Sequence, residues 1–283
     1  MSHNVLTKEQ VDHFIEHGWV KLEEAFPREN ALAAQDYIWG QLRLRGVLKD
    51  DRSTWTKPLI HIRENYATEN FDQCNSEKFQ GAIEDLVGPG RWAYKNYRVM
   101  WGWWPVNFPQ KHDKPWNVPF DGWHIDGQHF RHYINSWEQG LLCIPLFSEI
   151  GPKGGGTLIA EGSHHIVANM LHRHPEGLEF PHVNIKSMKA HPWLMELTGV
   201  TADIDEEKLH TVDDYVLATN EAAAKATPTA DRVEKFMHTT YEDADGYKLR
   251  VVEVTGKPGD VFFCHPFLFH TRSENHSDRV RFM

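Results

Sequence analysis

Two separated segments restrict this fold more together than either does alone. They are Gly122-Trp123-His124-Ile125-Asp126-Gly127 and Pro258-Gly259-Asp260-Val261-Phe262-Phe263-Cys264-His265-Pro266-Phe267-Leu268-Phe269-His270. On an extended strand, residues i and i+2 face the same way, so His124 and Asp126 present an imidazole and a carboxylate to one point. One more histidine from another strand completes a 2-His-1-carboxylate facial triad. That set holds Fe(II) on one face and leaves the other positions open for co-substrate and O2. An H-x-D pair alone says little in a chain with 19 histidines; its plain reading is a surface histidine and a turn-capping aspartate. His265 and His270 both qualify as the third ligand. They are five apart and face opposite ways on an unbroken strand, but Pro266 interrupts that alternation, so the residues leave both open. His129 and His132 make a four-ligand zinc site conceivable, against the preference of structural zinc for cysteine.

The surrounding chain reads as strands after a helical beginning. Thr7 and Gln10 have capping-box spacing, Val11, Phe14 and Ile15 form a helical stripe, and Gly18 ends that helix. Trp19–Leu22 reads as a short strand, and a second helix runs from about Arg28 to Arg45. Residues 92 to 104 read as a strand, and the proline-rich stretch from Trp104 to Asp121 as irregular. Leu141–Phe147 and Thr157–Ala160 read as strands flanking the turn Gly151-Pro152-Lys153-Gly154-Gly155-Gly156. This loop lacks the Gly-Lys-Ser/Thr ending and following helix of a phosphate loop. Strands resume at Tyr247–Val254. Short strands with Gly/Pro turns predict a mainly β jelly-roll core with flanking helices.

Residues 196 to 246 hold thirteen Asp/Glu against four Lys/Arg, nearly the whole net charge of −10. They read as an acidic helical insertion, solvated or serving as a lid over the site. The expected organisation is one domain: a helical part over 1–90, a β core over 92–195 and 247–283, and the insertion between. The charge argues against nucleic acid and anionic membrane as partners. Cys74, Cys143 and Cys264 show neither a disulfide framework nor zinc-finger spacing. With no visible signal peptide and no apolar run of spanning length, a cytoplasmic protein is expected. Seven of the eleven tryptophans fall between positions 92 and 137. Most should pack in the core, with Trp101, Trp103 and Trp123, joined by Gln128, as candidate pocket walls. Alternation puts Trp101 and Trp103 on one face and Trp104 on the other.

The ordered set Trp123–Asp126, Gly155-Gly156-Thr157-Leu158-Ile159-Ala160-Glu161-Gly162-Ser163-His164, Gly259-Asp260, His265-Pro266 and His270, then Asn275, Ser277 and Arg281, resembles the phytanoyl-CoA dioxygenase family of Fe(II)- and 2-oxoglutarate-dependent oxygenases. The opening Leu6–Val20 resembles that family's first helix and strand. The resemblance implies a double-stranded β-helix (cupin-like), with His124, Asp126 and His270 on iron and Arg281 on the C5 carboxylate of 2-oxoglutarate. A planar guanidinium suits that pairing. It also favours His270 over His265, and makes Gly162-Ser163-His164 a structural turn. Lys95, Tyr97, Arg98 and Thr157 are further candidates for the co-substrate. Related halogenases carry a small residue in place of the carboxylate, so Asp126 implies hydroxylation or a related oxidation. The chain departs from the family at Glu161, where proline is usual, and in ending two residues after Arg281, where relatives continue the strand. A short last strand or a longer natural chain is expected there.

The implied function is oxidation of a small-molecule substrate by O2, with release of succinate and CO2. Two alternatives stay open: a cupin-like zinc or manganese hydrolase or isomerase on the same ligands, and a non-catalytic binding protein of this fold. The substrate class and oligomeric state are not legible.

Overall fold

The computed structural model describes residues 4–66, 68–91, 101–110, 113–228 and 230–283. The helical beginning comprises α1 (Lys8–His17), β1 (Trp19–Leu22) and α2 (Arg28–Arg43). Then follow β2 (Leu59–Ile62), α3 (Glu69–Asp72), α4 (Glu77–Val87) and β3 (Trp104–Asn107). Thr7 closes a reciprocal capping box with Gln10, and Gly18 ends α1 in the left-handed conformation at φ 83°. The second half holds β4 (Leu142–Pro145), β5 (Leu158–Glu161), α5 (Ser163–His172), α6 (His182–Lys189), α7 (Pro192–Thr198) and α8 (Val212–Lys225). It ends with β6 (Tyr241–Glu242), β7 (Lys248–Glu253), β8 (Val261–Cys264) and β9 (His270–Thr271).

The strands form antiparallel sheets in the orders β1-β8-β4, β6-β7-β5-β9 and β2-β3. Backbone bridges extend two of them. His124 pairs with His270 beyond β9, and Asn107 of β3 pairs with Arg281. Phe147 N–H then donates to Phe282 O, which joins the β3 ladder to the chain leaving β4.

Side-chain alternation shows how the sheets are stacked. In β8, Phe262 and Cys264 pack with Ile144, Ile159 and Val254 between the sheets, while Val261 and Phe263 turn to the N-terminal helices. In β5, Ile159 faces inward, while Leu158 and Ala160 face a core built with α5 to α8. Both strands are buried on both faces, which explains their unbroken apolar composition. The result is a β sandwich of the double-stranded β-helix type, with a helical layer on each outer face.

Three readings of the sequence need correction. Residues 104–107, expected to be irregular, form β3, with Pro105 opposite His61. Trp101 and Trp103 do not share a face: Trp101 is buried, whereas Trp103 takes φ 58° and is 61% exposed. The acidic stretch buries more than its composition implied. Leu197, Val200, Leu209, Tyr215 and Phe236 all lie in the core shared by α5 to α8. The expected strand from Trp92 to Met100, with Lys95, Tyr97 and Arg98, lies outside the described residues. No described helix is long and apolar enough to cross a membrane.

Candidate metal centre

His270 occupies β9 opposite Ile159 and shares its inward face. Its N–H donates to His124 O and its carbonyl accepts from His124 N–H, both at 3.0 Å. Two histidines paired in this way project to one side of the ladder, and their ring centroids are 4.3 Å apart. Asp126 follows two residues after His124 and brings Oδ1 to 3.5 Å from His124 Nε2 and 3.7 Å from His270 Nε2. One ligand atom from each of the three residues lies within 4.8 Å of the others, and this is the one such group among the described residues.

The second ring nitrogens are also committed. His124 Nδ1 donates to Gly122 O at 2.7 Å, and His270 Nδ1 to Leu268 O at 3.1 Å. Both Nε2 atoms are thereby turned to Asp126, the orientation that a metal ligand needs. Burial lowers the His270 pKa to about 4, with the His124 charge acting the same way, so its imidazole is neutral near pH 7. Burial opposes ionisation of Asp126, but the hydrogen bond from His124 and the charges of His270 and His124 outweigh it. Its carboxyl is held well below the usual range. Burial likewise disfavours a charged His124, yet the hydrogen bond and charge of Asp126 raise its pKa. Asp126 therefore draws positive charge to this point, as a proton or as a metal ion.

The His124–Asp126 segment belongs to no extended strand and is fixed by side chains from afar. Asn184 of α6, fully buried, accepts from Ile125 N–H at 2.9 Å and donates to Ile125 O at 3.4 Å. Tyr215 of α8 donates to Trp123 O at 2.7 Å. Trp123 is buried and its Nε1 donates to Pro119 O at 2.9 Å. Arg232 anchors the preceding turn by donating to Val118 O and Pro119 O. After Asp126 the chain turns at Gly127, φ 109°, where a Cβ would meet the Phe130 and His132 rings at 2.6 Å. Asn184, Tyr215 and Arg232 escaped the sequence reading. A polar Asn184 between Val183 and Ile185 was the one available signal, and it named no partner.

Arg281 stands on the strand paired with β3 and is 2% exposed. Its Nε donates to Gly155 O at 2.7 Å and its Nη1 to Pro105 O at 2.8 Å. Among the described residues no carboxylate pairs with it. Burial pushes its pKa down to about 9. A buried guanidinium with no counter-ion is costly, and an anionic ligand relieves that cost. Thr157 Oγ1 is beside Met283, donating to its Sδ at 3.1 Å.

The other candidates are dispersed. Trp101 lies in the N-terminal core against Phe26, Phe79 and Phe147, not in a pocket wall. Trp123 is a core residue at the start of the His124–Asp126 segment. Gln128 is exposed in the turn after Asp126. His265 faces elsewhere: its Nδ1 accepts from Phe267 N–H, and its ring stands against His164 and Phe14. His132 is committed to Gly127 O and Gln139. Glu161, the departure from proline, is buried where it accepts from Trp19 Nε1 and faces His17 and Arg250.

No family model matches the chain, and no curated protein matches it. Among solved structures, it is similar to the non-heme alpha ketoglutarate dependent carbocyclase SnoK from nogalamycin biosynthesis. Identity is 13% and TM-score 0.47, over 98% of this chain and 81% of that one. It is similar to EctD from S. alaskensis with bound Fe at 16% identity and TM-score 0.48, over 100% and 76% of the chains. A putative oxidoreductase from Salmonella typhimurium LT2 matches at 13% and 0.44, over 98% and 69%.

Proposed function

We propose that this chain is an Fe(II)- and 2-oxoglutarate-dependent oxygenase that hydroxylates or otherwise oxidises a small molecule. The observation that carries the reading is the convergence of two oriented imidazoles and one carboxylate within 4.8 Å. That donor set fits a redox-active iron with open positions better than structural zinc, which prefers closed four-ligand sites with cysteine. The buried Arg281, which pairs with no carboxylate among the described residues, supports the co-substrate, because a dicarboxylate provides a counter-ion. When bound, Fe(II) with 2-oxoglutarate supplies O2 activation and oxidative decarboxylation. For a hydroxylation, one oxygen atom of O2 enters the substrate and the other enters succinate, with CO2 released.

The protein's own contributions are positional. The Gly122 and Leu268 carbonyls hold the imidazole rings, and Asn184 and Tyr215 hold the backbone that carries Asp126. Arg281 orients the C5 carboxylate, with Thr157 as a second polar contact; Lys95, Tyr97 and Arg98 remain proposed contacts on the preceding segment. Ile144, Ile159 and Leu268 keep the inter-sheet space dry. The test is succinate formation from 2-oxoglutarate by the Fe(II)-loaded protein against a metabolite library. Absence of both iron binding and 2-oxoglutarate turnover would overturn the reading.

A further inference from the structure

The antiparallel pair of β2 and β3 carries a feature that the proposed iron and co-substrate do not use. Its paired register ends at Ile62 opposite Trp104, and Tyr66 resumes pairing with Trp101. Between these points the two chains bulge. At Gly102 an added Cβ would lie 1.7 Å from Asn65 Oδ1, so any side chain there would have to displace Asn65. The strain passes to Trp103, a non-glycine residue at φ 58°. Trp101 and Trp104 on either side are core residues, while Trp103 is thrown outward and left 61% exposed. Bulges next to functional sites commonly re-aim a side chain in this way.

Above the Trp103 ring lies the Arg63 guanidinium, 5.2 Å from the centroid. Neighbouring Glu64 is taken by Arg45, and Arg63 has no carboxylate partner among the described residues. More positive charge gathers around it. Arg281 reaches the same pair of strands: its Nη1 donates to the carbonyl of Pro105, which stands opposite His61, two residues before Arg63. Burial lowers the His61 pKa, and the charges of Arg63, Arg281 and Arg272 act the same way. Arg272 also reaches the metal centre: its charge acts on His124, and its Nη1 would be 3.7 Å from a Cβ at Gly122. Among the described residues its ion-pair partner is Asp121, at 3.0 Å. In a chain of net charge −10, this is a local reversal of sign beside the proposed iron site.

We infer that the substrate is a small carboxylate with an apolar body, its oxyanion taken by Arg63 and its body laid against Trp103. The inference rests on the oxygenase reading only in calling this anion a substrate; its binding is independent of iron. The guanidinium stacked on the indole is already oriented, so its planar fork meets a carboxylate with little ordering cost. Arg281 is reserved for the co-substrate by its burial, whereas Arg63 stays open to solvent.

The experiment uses the full chain and a panel of aryl and medium-chain alkyl carboxylates, each beside its primary amide. Binding to metal-free protein is read by quenching of tryptophan fluorescence. At least one acid should bind about tenfold or more tightly than its amide, and Arg63→Gln should erase that difference. Trp103→Phe should remove most of the quenching. Calorimetry on the Fe(II)-loaded protein should give the same 2-oxoglutarate affinity for wild type and Arg63→Gln. Acids binding no better than amides, no acid binding at all, or quenching undiminished in Trp103→Phe would overturn the inference. Loss of 2-oxoglutarate affinity in Arg63→Gln would overturn it too, assigning Arg63 to the co-substrate. Acid selectivity in a wild type that shows no 2-oxoglutarate turnover would uphold the anion site and reject the oxygenase reading.

Discussion

The two halves of the metal centre are held by different means. His270 lies in a ladder, with β5 on one side and His124 on the other, so backbone hydrogen bonds set its place. The His124–Asp126 segment has backbone pairing only at His124. Beyond it, Asn184, Tyr215 and Arg232 do the holding, from helices and loops far along the chain. A ladder is a property of main chain and tolerates side-chain change. A segment hung on three side chains loosens when any one of them is removed. Precision at the proposed metal site thus depends most on residues outside the cluster itself.

The contrast can be broken at its centre first. Asp126→Ala removes the only anionic donor in the cluster, and both turnover and iron stoichiometry should be lost. Succinate formation at the wild-type rate would sink the ligand assignment. Next, Arg281→Ala should raise the apparent 2-oxoglutarate KM about 30-fold or more, since losing one partner of a buried charge pair costs about 2–5 kcal/mol. Iron binding should persist. An unchanged KM would move the C5 carboxylate to Arg98, Lys95 or Arg279.

Acid should weaken the ladder side. Burial lowers the pKa of His164 to about 3 and of His265 to about 4, from 6.5. A histidine kept neutral by the fold adds stability that is fully present above its unfolded pKa. That stability is lost as pH falls from 6.5 towards these folded values. Near pH 5 the two together should cost a few kcal/mol, on the order of 2 each. A Tm that is flat from neutrality to pH 5 would contradict this.

The side-chain-held half is probed by Asn184→Leu, which strands the Ile125 N–H. An unpaired buried donor costs about 1–3 kcal/mol, and metal affinity should drop about 10- to 100-fold. Amide exchange should accelerate at Ile125 and not at His270; equal acceleration would erase the contrast. Tyr215→Phe should show the same pattern at about 1 kcal/mol. It also gauges how far the acidic stretch holds the site rather than merely covering it.

The legibility of the sequence follows the same division. Short apolar runs bounded by glycine-proline turns disclosed β4, β5 and β7, because local composition marks a strand buried between two layers; β8, within the segment that carries the histidines, was not singled out. The His124–Asp126 pair was legible from spacing, whereas the choice of His270 over His265 came from the family resemblance. Tyr215 was hidden inside a stretch whose charge suggested solvation, since a net balance says nothing about which few residues turn inward. Trp103 was misplaced because alternation presumes an unbroken strand, and the clash at Gly102 is invisible until Asn65 is beside it.

Arg281 carries one last consequence. A cation enclosed without its counter-ion makes the ligand-free fold weaker than the liganded one. On the proposed reading, 2-oxoglutarate is therefore a folding partner as well as a reactant. Its supply would set how long the chain survives unfolding and proteolysis, with about 2.7 kcal/mol of added stability at a hundred times Kd.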